Sequence, residues 1–478
     1  MRPRYFPTTI PLALLWVGMA LSVCAGQARA DEELPRGLKG TAAPLDDTAK
    51  KLPGAHAFWV PDPEFGGRIY LLESGEGVQP GTPPLVLVHG LGEAGLRDFY
   101  PVLRALGEKR QVIAFDLPGF GRSSKSNEEY SPVRYAAVVR SIIDRYAGGF
   151  ADVLGHSMGG AIALSHAGTY PQQVRRLVVV DAAGVLHREA FVTEQIRGSV
   201  APARGLLPGP VAAAEELAGN LLRRARKFEP PPELLVGSRL LRQHALGGEP
   251  GKIAAVSLIA TNLGAAIAGV TAPTLILWGE RDQIAPLRTA HILVDRVADA
   301  QLTVFAGVGH VAMKEVPQEM SAAVLAHLDT TPVAPAAIEP QKSQGDYKCH
   351  YQNDLELQGL FDSITLDNCE RIMLHGVVAN TLVMNNSTTS LVGSRILAGI
   401  NADDSLISMT GGEVLGTPVL RLSESRLDLA GVRLSGPVDL VTVTSTSRVL
   451  CSVCTVVSPN TVRYTHGEQV LRPGPRRL

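Results

Sequence analysis

The strongest chemical signal in this 478-residue chain is the string Gly155-His156-Ser157-Met158-Gly159-Gly160. A serine hydroxyl stands exposed on a sharp strand-to-helix turn only where its neighbours are small, and Gly155 and Gly159 supply that room. The string follows the apolar run Asp152–Leu154 and precedes a helical stretch reaching Tyr170, which is the context such a turn requires. The positive end of that helix would favour an oxyanion developing beside it. A nucleophilic serine needs a base, and the base needs an orienting carboxylate. His310, in the loop after the run Leu302–Phe305, is the candidate base. Asp282, in Trp278-Gly279-Glu280-Arg281-Asp282, is the candidate acid, with Glu280 the alternative two positions earlier. His89-Gly90-Leu91-Gly92 follows another apolar run, Leu85–Val88. Its Leu91 amide and that of Met158 are the candidate oxyanion donors, while the His89 side chain is read as a structural loop histidine. Neither a metal nor a cofactor is needed for chemistry of this kind.

Elements able to position these residues alternate along the first two-thirds of the chain. β-branched apolar runs at Leu85–Val88, Val112–Phe115, Asp152–Leu154, Leu177–Val180, Thr274–Leu277 and Leu302–Phe305 are separated by helical stretches. Continuously apolar strands between helices predict a parallel sheet covered on both faces. Ser157, Asp282 and His310 then all fall at C-terminal strand ends, where doubly wound sheets form their ligand crevices. An early strand is expected at Arg68–Leu72, preceded by a polar approach segment, 31–67. Residues 185–268 form a helical insertion, and Leu206, Leu207, Val211, Leu221 and Leu222 in it are candidate substrate-binding residues. The basic cluster Arg223–Lys227 reads as a solvated helix face, with an anionic surface as its alternative target. Asp116 is read as a loop partner rather than a catalytic acid.

On five motifs in order, the stretch from about 68 to 328 resembles the α/β-hydrolase fold superfamily, specifically its lid-bearing serine esterases and monoacylglycerol lipases. The motifs are His89-Gly90-Leu91-Gly92, Asp116-Leu117-Pro118-Gly119-Phe120-Gly121-Arg122-Ser123, Gly155–Gly160, Trp278–Asp282 and Gly309-His310, with the triad order Ser, Asp, His that such enzymes use. The resemblance implies an eight-stranded sheet, a lid at 185–268 and hydrolysis of a carboxylic ester through an acyl-enzyme. Ser157 stands where related dehalogenases and epoxide hydrolases carry aspartate. Acyltransferases, cofactor-free haloperoxidases and carbon–carbon bond hydrolases keep the serine and remain alternatives. The resemblance does not extend to residues 345–478.

The ends of the chain place this chemistry in context. Arg2 and Arg4, an apolar run from Ile10 to Ala25 and Ala28-Arg29-Ala30 before Asp31-Glu32-Glu33 predict a signal peptide over 1–30. The protein is therefore expected to be exported to the periplasm or outside the cell. A lipoprotein box at Cys24 is disfavoured by the bulk of Val23. Four cysteines then remain, Cys349, Cys369, Cys451 and Cys454. Three pairings are possible; the two local disulfides, Cys349 with Cys369 and Cys451 with Cys454, are preferred over a redox Cys-x-x-Cys or a zinc site. Residues 330–344 contain three prolines without periodicity and read as a linker. After it, short β runs separated by Asn, Asp, Ser and Gly clusters predict an all-β domain over 345–478, preferably a parallel β-helix, with a sandwich or barrel as alternatives. Turns such as Asn385-Asn386-Ser387 and the lack of long hairpin strands support that preference, and Asp403-Asp404 is read as another turn. With 45 Lys+Arg against 46 Asp+Glu, the chain carries no nucleic-acid signature. An ester or lipid-like substrate is the expected partner for the first domain. A polysaccharide or envelope surface is a candidate for the second, and a surface-binding protein with a degenerate hydrolase is the reading from another functional class.

Overall fold

A computed structural model of the chain describes residues 32–33, 39–75, 78, 81–191, 232–330, 342–437 and 439–478. The proposed signal peptide, most of the linker, Arg223–Lys227 and the candidate pocket residues Leu206, Leu207, Val211, Leu221 and Leu222 lie outside the described residues.

The first domain is built on ten strands: β1 (Glu32–Glu33), β2 (Lys39–Ala42), β3 (His56–Pro61), β4 (Arg68–Ser74), β5 (Leu85–Val88), β6 (Val112–Phe115), β7 (Ala151–His156), β8 (Val174–Val180), β9 (Thr274–Gly279) and β10 (Ala300–Phe305). They form one sheet in the order β1-β2-β3-β4-β6-β5-β7-β8-β9-β10. From β6 to β10 the pairing is parallel, and β5, β6, β7 and β9 are buried along their whole length. That explains their unbroken apolar sequence, because helices cover both faces. The approach segment 31–67 departs from expectation: it supplies β1, β2 and β3, paired antiparallel, so that the sheet has two strands more than the eight the resemblance implies. Lys39–Ala42 carries no apolar run, whereas Ala57-Phe58-Trp59-Val60 does and was passed over because the surrounding segment is polar and rich in Pro and Gly. In the His56–Pro61 strand only the two end residues are exposed, and the interior is buried or partly buried.

Helices α1 (Tyr100–Gly107), α2 (Pro132–Tyr146) and α3 (Met158–Thr169) connect the early parallel strands. The described part of the insertion contributes α4 (Pro232–Gly237), α5 (Arg239–Leu246), α6 (Pro250–Ala260) and α7 (Gly264–Ala268). Helices α8 (Arg288–Arg296), α9 (Ala312–Glu315) and α10 (Pro317–Asp329) close the domain.

The second domain is a parallel β-helix. Asp346–His350, Leu360–Asp367, Val378–Asn385, Ile400–Asp403, Leu420–Ser423 and Val441–Val443 stack in parallel along one face. Inward residues form continuous ladders such as Ile364, Leu382, Ile400, Leu420 and Val441, all fully buried. At one corner each coil turns through a left-handed residue: Asn368, Asn386, Asp404 and Glu424. The next residue points inward, and the amides of Cys369, Ser387, Ser405 and Ser425 each donate to the serine hydroxyl one coil on, Ser387, Ser405, Ser425 and Ser447. This hydroxyl ladder satisfies backbone groups that the corner would otherwise bury unpaired. Asp404 is thus a corner residue, in line with the turn reading.

Two expectations for this domain are corrected. The strands Ser447–Ser458 and Thr461–Leu471 form a long antiparallel hairpin that caps the end of the helix, where no further coil is available to pair with. Cys349 and Cys369 form a disulfide, but Cys451 and Cys454 are free, buried thiols. Cys451 ends the inward ladder Leu374, Leu391, Met409 and Leu429, and the Cys454 thiol donates to the Leu429 carbonyl at 3.2 Å. The pair therefore fills core positions across an irregularity in the hairpin, as small apolar side chains do.

The two domains pack directly on one another. Arg288, at the start of α8, forms a bidentate ion pair with Asp428 at 2.7 and 3.2 Å and donates to Thr410 at 2.8 Å. Gly411 and Gly431 lie so close to Asp295 and Ile292 that a Cβ on either would come within 2.8 and 2.7 Å. Ala430, Leu450 and Val453 of the β-helix join the core of the first domain. At the root of the insertion, the His187 amide donates to the Ser452 hydroxyl at 2.9 Å.

Candidate active site

Close packing shapes the turn at Ser157. A Cβ on Gly155 would come within 2.2 Å of the Gly159 carbonyl oxygen, and one on Gly159 within 2.1 Å of the Val88 carbonyl oxygen. Only glycine lets β7, α3 and β5 approach this closely, and the turn between them forces Ser157 to φ 55°. A serine held in that sparsely populated region is backbone strain at a functional position. The Ser157 amide donates to the Val180 carbonyl at 3.0 Å, which ties the turn to the end of β8.

The three candidate residues meet at the C-terminal edge of the sheet. The Ser157 hydroxyl donates to His310 Nε2 at 2.9 Å, and His310 Nδ1–H donates to Asp282 Oδ2 at 2.7 Å. Asp282 is fixed in turn by the Ile284 and Ala285 amides, which donate to its Oδ1 at 2.7 and 2.9 Å. Exposures of 6%, 7% and 9% for Ser157, Asp282 and His310 shield the three from bulk water, which strengthens charge interactions among them. A hydroxyl, an imidazole and a carboxylate linked in this way can take up and return a proton while the hydroxyl oxygen attacks an electrophilic carbon. Glu280 is placed elsewhere: its carboxylate accepts from the exposed Gly307 amide at 2.7 Å.

The loop after β5 lies over the nucleophile. A Cβ on Gly90 would come within 2.9 Å of Ser157 Cβ, so glycine is required for the loop to pass. Leu91 is half-buried beside it, and Met158 is the first residue of α3, where amides have no intrahelical acceptor. The His89 ring is part of the loop framework: Nδ1–H donates to the Gly90 carbonyl at 2.7 Å, and Nε2 accepts from the Leu117 amide at 2.8 Å. Asp116 is likewise a loop partner, accepting from the Leu96 and Arg122 amides, each at 2.8 Å.

Two buried groups beside the site escaped the sequence reading. His156 Nε2–H donates to the His310 carbonyl at 2.8 Å and so holds the backbone of the imidazole-bearing loop. Burial, reinforced by the neighbouring His310 ring, lowers its pKa to about 4, so it stays neutral. Asp181 directly follows β8, at the same strand-end position that singles out Ser157, Asp282 and His310. That position was the available signal, but an aspartate closing an apolar strand carries no motif of its own.

Comparison with known proteins gives the family of the first domain. The profile of the alpha/beta hydrolase family matches residues 85–323. The chain is 31% identical over 276 residues to the dihydrolipoyllysine-residue acetyltransferase component of an acetoin cleaving system from Pseudomonas putida, covering 55% of this chain and 68% of that protein. It is 29% identical over 268 residues to a poly(3-hydroxyalkanoate) depolymerase from Ectopseudomonas oleovorans, covering 52% and 90%. Among solved structures, a putative lipase from Acinetobacter baumannii superposes with a TM-score of 0.43 at 25% identity, covering 57% of this chain and 91% of its own. The chain belongs to the alpha/beta hydrolase family, and it is a hydrolase.

Proposed function

We propose that the protein is an exported serine hydrolase that cleaves a carboxylic ester through an acyl-enzyme. The observation that carries this reading is the unbroken hydrogen-bond chain from Ser157 through His310 to Asp282. In the first step the Ser157 oxygen attacks the ester carbonyl as His310 Nε2 takes its proton, and Asp282 stabilises the imidazolium. The Leu91 and Met158 amides hold the oxyanion, and His310 returns the proton to the departing alcohol. Water activated by His310 then releases the acid from Ser157. A depolymerase and a lipase among the relatives support an ester as the substrate class.

Export is supported by the signal-peptide pattern and by the Cys349–Cys369 disulfide, since such bonds persist in oxidising compartments. In a Gram-negative host, the full-length gene product should then be recovered from the periplasm beginning at Asp31.

The deciding experiment compares the wild type with Ser157→Ala on acyl esters of increasing chain length, with a serine-directed phosphonate as label. Turnover should fall by about 10⁴-fold or more and labelling should vanish. A wild-type protein that neither turns over nor labels would end the esterase reading. A product ester formed on adding an alcohol acceptor would shift it to acyl transfer. A β-helix that holds the enzyme on a polysaccharide or envelope surface is compatible with either outcome.

A further inference from the structure

Asp181 is buried against the acid loop and carries a strained backbone, with φ 46° in a region that non-glycine residues seldom enter. Its amide donates to the Leu277 carbonyl at 3.0 Å, and its Oδ1 accepts from the Gly279 amide at 2.8 Å. The same short segment grips the nucleophile turn, since Ser157 donates to Val180 and the Ala183 amide donates to the Ser157 carbonyl at 3.1 Å. One oxygen is left over. Asp181 Oδ2 is buried and receives no N–H or O–H from any described residue, and the carboxyl lies within hydrogen-bonding reach of Asp282.

Two ionised carboxylates offer only acceptors to each other, so such a contact is a hydrogen bond only if one of them holds a proton. Asp282 has its oxygens committed as acceptors, Oδ1 to two amides and Oδ2 to His310. Asp181 has one oxygen free. We propose that Asp181 is a positioning residue: its carboxyl is protonated and donates from Oδ2 to Asp282, so the two groups share one negative charge opposite His310. Its surroundings favour the neutral form. Burial, the facing charge of Asp282 and the more distant Glu315 push its carboxyl well above the ordinary carboxylate range, and the Gly279 amide opposes them. The proton bridge joins the end of β8 to the acid loop after β9 and draws charge away from Asp282. It thereby limits how strongly Asp282 favours the imidazolium form of His310.

The effect on turnover rests on the serine-hydrolase reading, but the bridge itself can be tested without turnover. In the full-length protein, the pH titration of the His310 ring would be followed by NMR in wild type, Asp181→Asn and Asp181→Leu. An asparagine keeps both contacts, since its amide N–H can donate to Asp282 while its oxygen accepts from Gly279. Its midpoint should stay within about 0.3 pH unit of the wild type. Leucine removes the donor, so the midpoint should rise by on the order of one unit, and the acid limb of kcat/KM for an active ester should rise with it. A fall of about one unit in Asp181→Asn would mean that a negative charge had been removed, and would overturn the proposal. So would Asn and Leu midpoints that both match the wild type, which is what a purely structural carboxyl predicts. If Asp181→Leu fails to fold, the Asn titration alone still separates a protonated Asp181 from an ionised one. Inertness of the wild type on every ester would refute the esterase reading and leave this titration to judge the carboxyl pair.

Discussion

The two domains put the same unfavourable backbone conformation to different uses. Among the described residues of the hydrolase domain, the non-glycine residues with positive φ are Ser157 and Asp181, and both adjoin the nucleophile turn. In the β-helix, Asn368, Asn386, Asp404 and Glu424 take φ values of 53°, 42°, 43° and 49° at one corner in successive coils. Repetition lets that corner share a common remedy, the serine ladder beneath it, so the strain is met by the architecture. At Ser157 and Asp181 the strain is singular, held by close contacts from several elements at once. Beside the nucleophile turn the conformation is held where chemistry is placed, whereas at the corner it recurs coil after coil as part of the construction.

Replacing Gly159 tests the singular case most severely. An alanine there would drive its Cβ to 2.1 Å from the Val88 carbonyl oxygen, a backbone atom with no easy way to retreat. Gly159→Ala should lower kcat on a responsive ester by on the order of 10²-fold, because displacement of a catalytic group by about 1 Å costs that much. Activity within a few-fold of wild type would show that the turn is not over-determined.

The junction between the domains gives the largest expected effect on stability. Arg288 and Asp428 are 9% and 14% exposed, so removing one partner strands a largely buried charge. Arg288→Met should cost about 3–5 kcal/mol in denaturant unfolding and separate the transitions of the two domains. An unchanged single transition would mean that the apolar contacts of Ala430, Leu450 and Val453 alone hold them together.

What could be read in the sequence follows the same division. The nucleophile turn, the acid and the base were legible because each sits in a local motif whose residue types answer a local steric demand: glycine where a Cβ would lie 2.1 Å from a carbonyl oxygen, histidine after a strand end. The β-helix was legible as a class but not as a repeat. Its coil spacing drifts from 17 residues between Asp346 and Ser363 to 21 between Leu420 and Val441, so no fixed period recurs. Asp181 and the docking of Arg288 on Asp428 depend on segments 101 and 140 residues apart meeting in space, and no local pattern records that. Cys451 and Cys454 misled because their short spacing suggests a bond, whereas Cys451 ends an inward ladder and the Cys454 thiol donates to the Leu429 carbonyl.

Acid should weaken the junction through His466, which belongs to the second strand of the hairpin, with its Nδ1 accepting from the Val453 amide and its ring edge-on to His187 at 5.0 Å. Burial, with a contribution from His187, lowers its pKa to about 4. An unfolded histidine titrates near 6.5, so between these values the unfolded chain binds the extra proton, and the stability present above pH 6.5 is lost as pH falls toward 4. The loss assigned to this residue is on the order of 3 kcal/mol. Comparing wild type with His466→Gln by urea unfolding at pH 7.5 and 4.5 isolates it, because His156 and His166 titrate alike in both. A stability difference between the two proteins that does not change with pH would remove His466 from the account.

The smallest effect probes the repeated corner. Glu424 holds φ 49° while its side chain is exposed, so the residue bears the conformational cost without a buried contact in return. Glycine reaches that region without a Cβ penalty, but it also gains freedom in the unfolded chain, and the two effects oppose each other. Relief of a left-handed L-residue is worth about 1–2 kcal/mol and the added unfolded entropy about 0.5–1 kcal/mol, so Glu424→Gly should be neutral to stabilising by up to about 1.5 kcal/mol. Gly159→Ala adds a Cβ where backbone crowds it, whereas Glu424→Gly removes one where a coil corner only tolerates it. A loss of more than about 1 kcal/mol on removing the Glu424 side chain would show that the corner residues contribute contacts of their own, and that the β-helix, like the nucleophile turn, has individually specified positions.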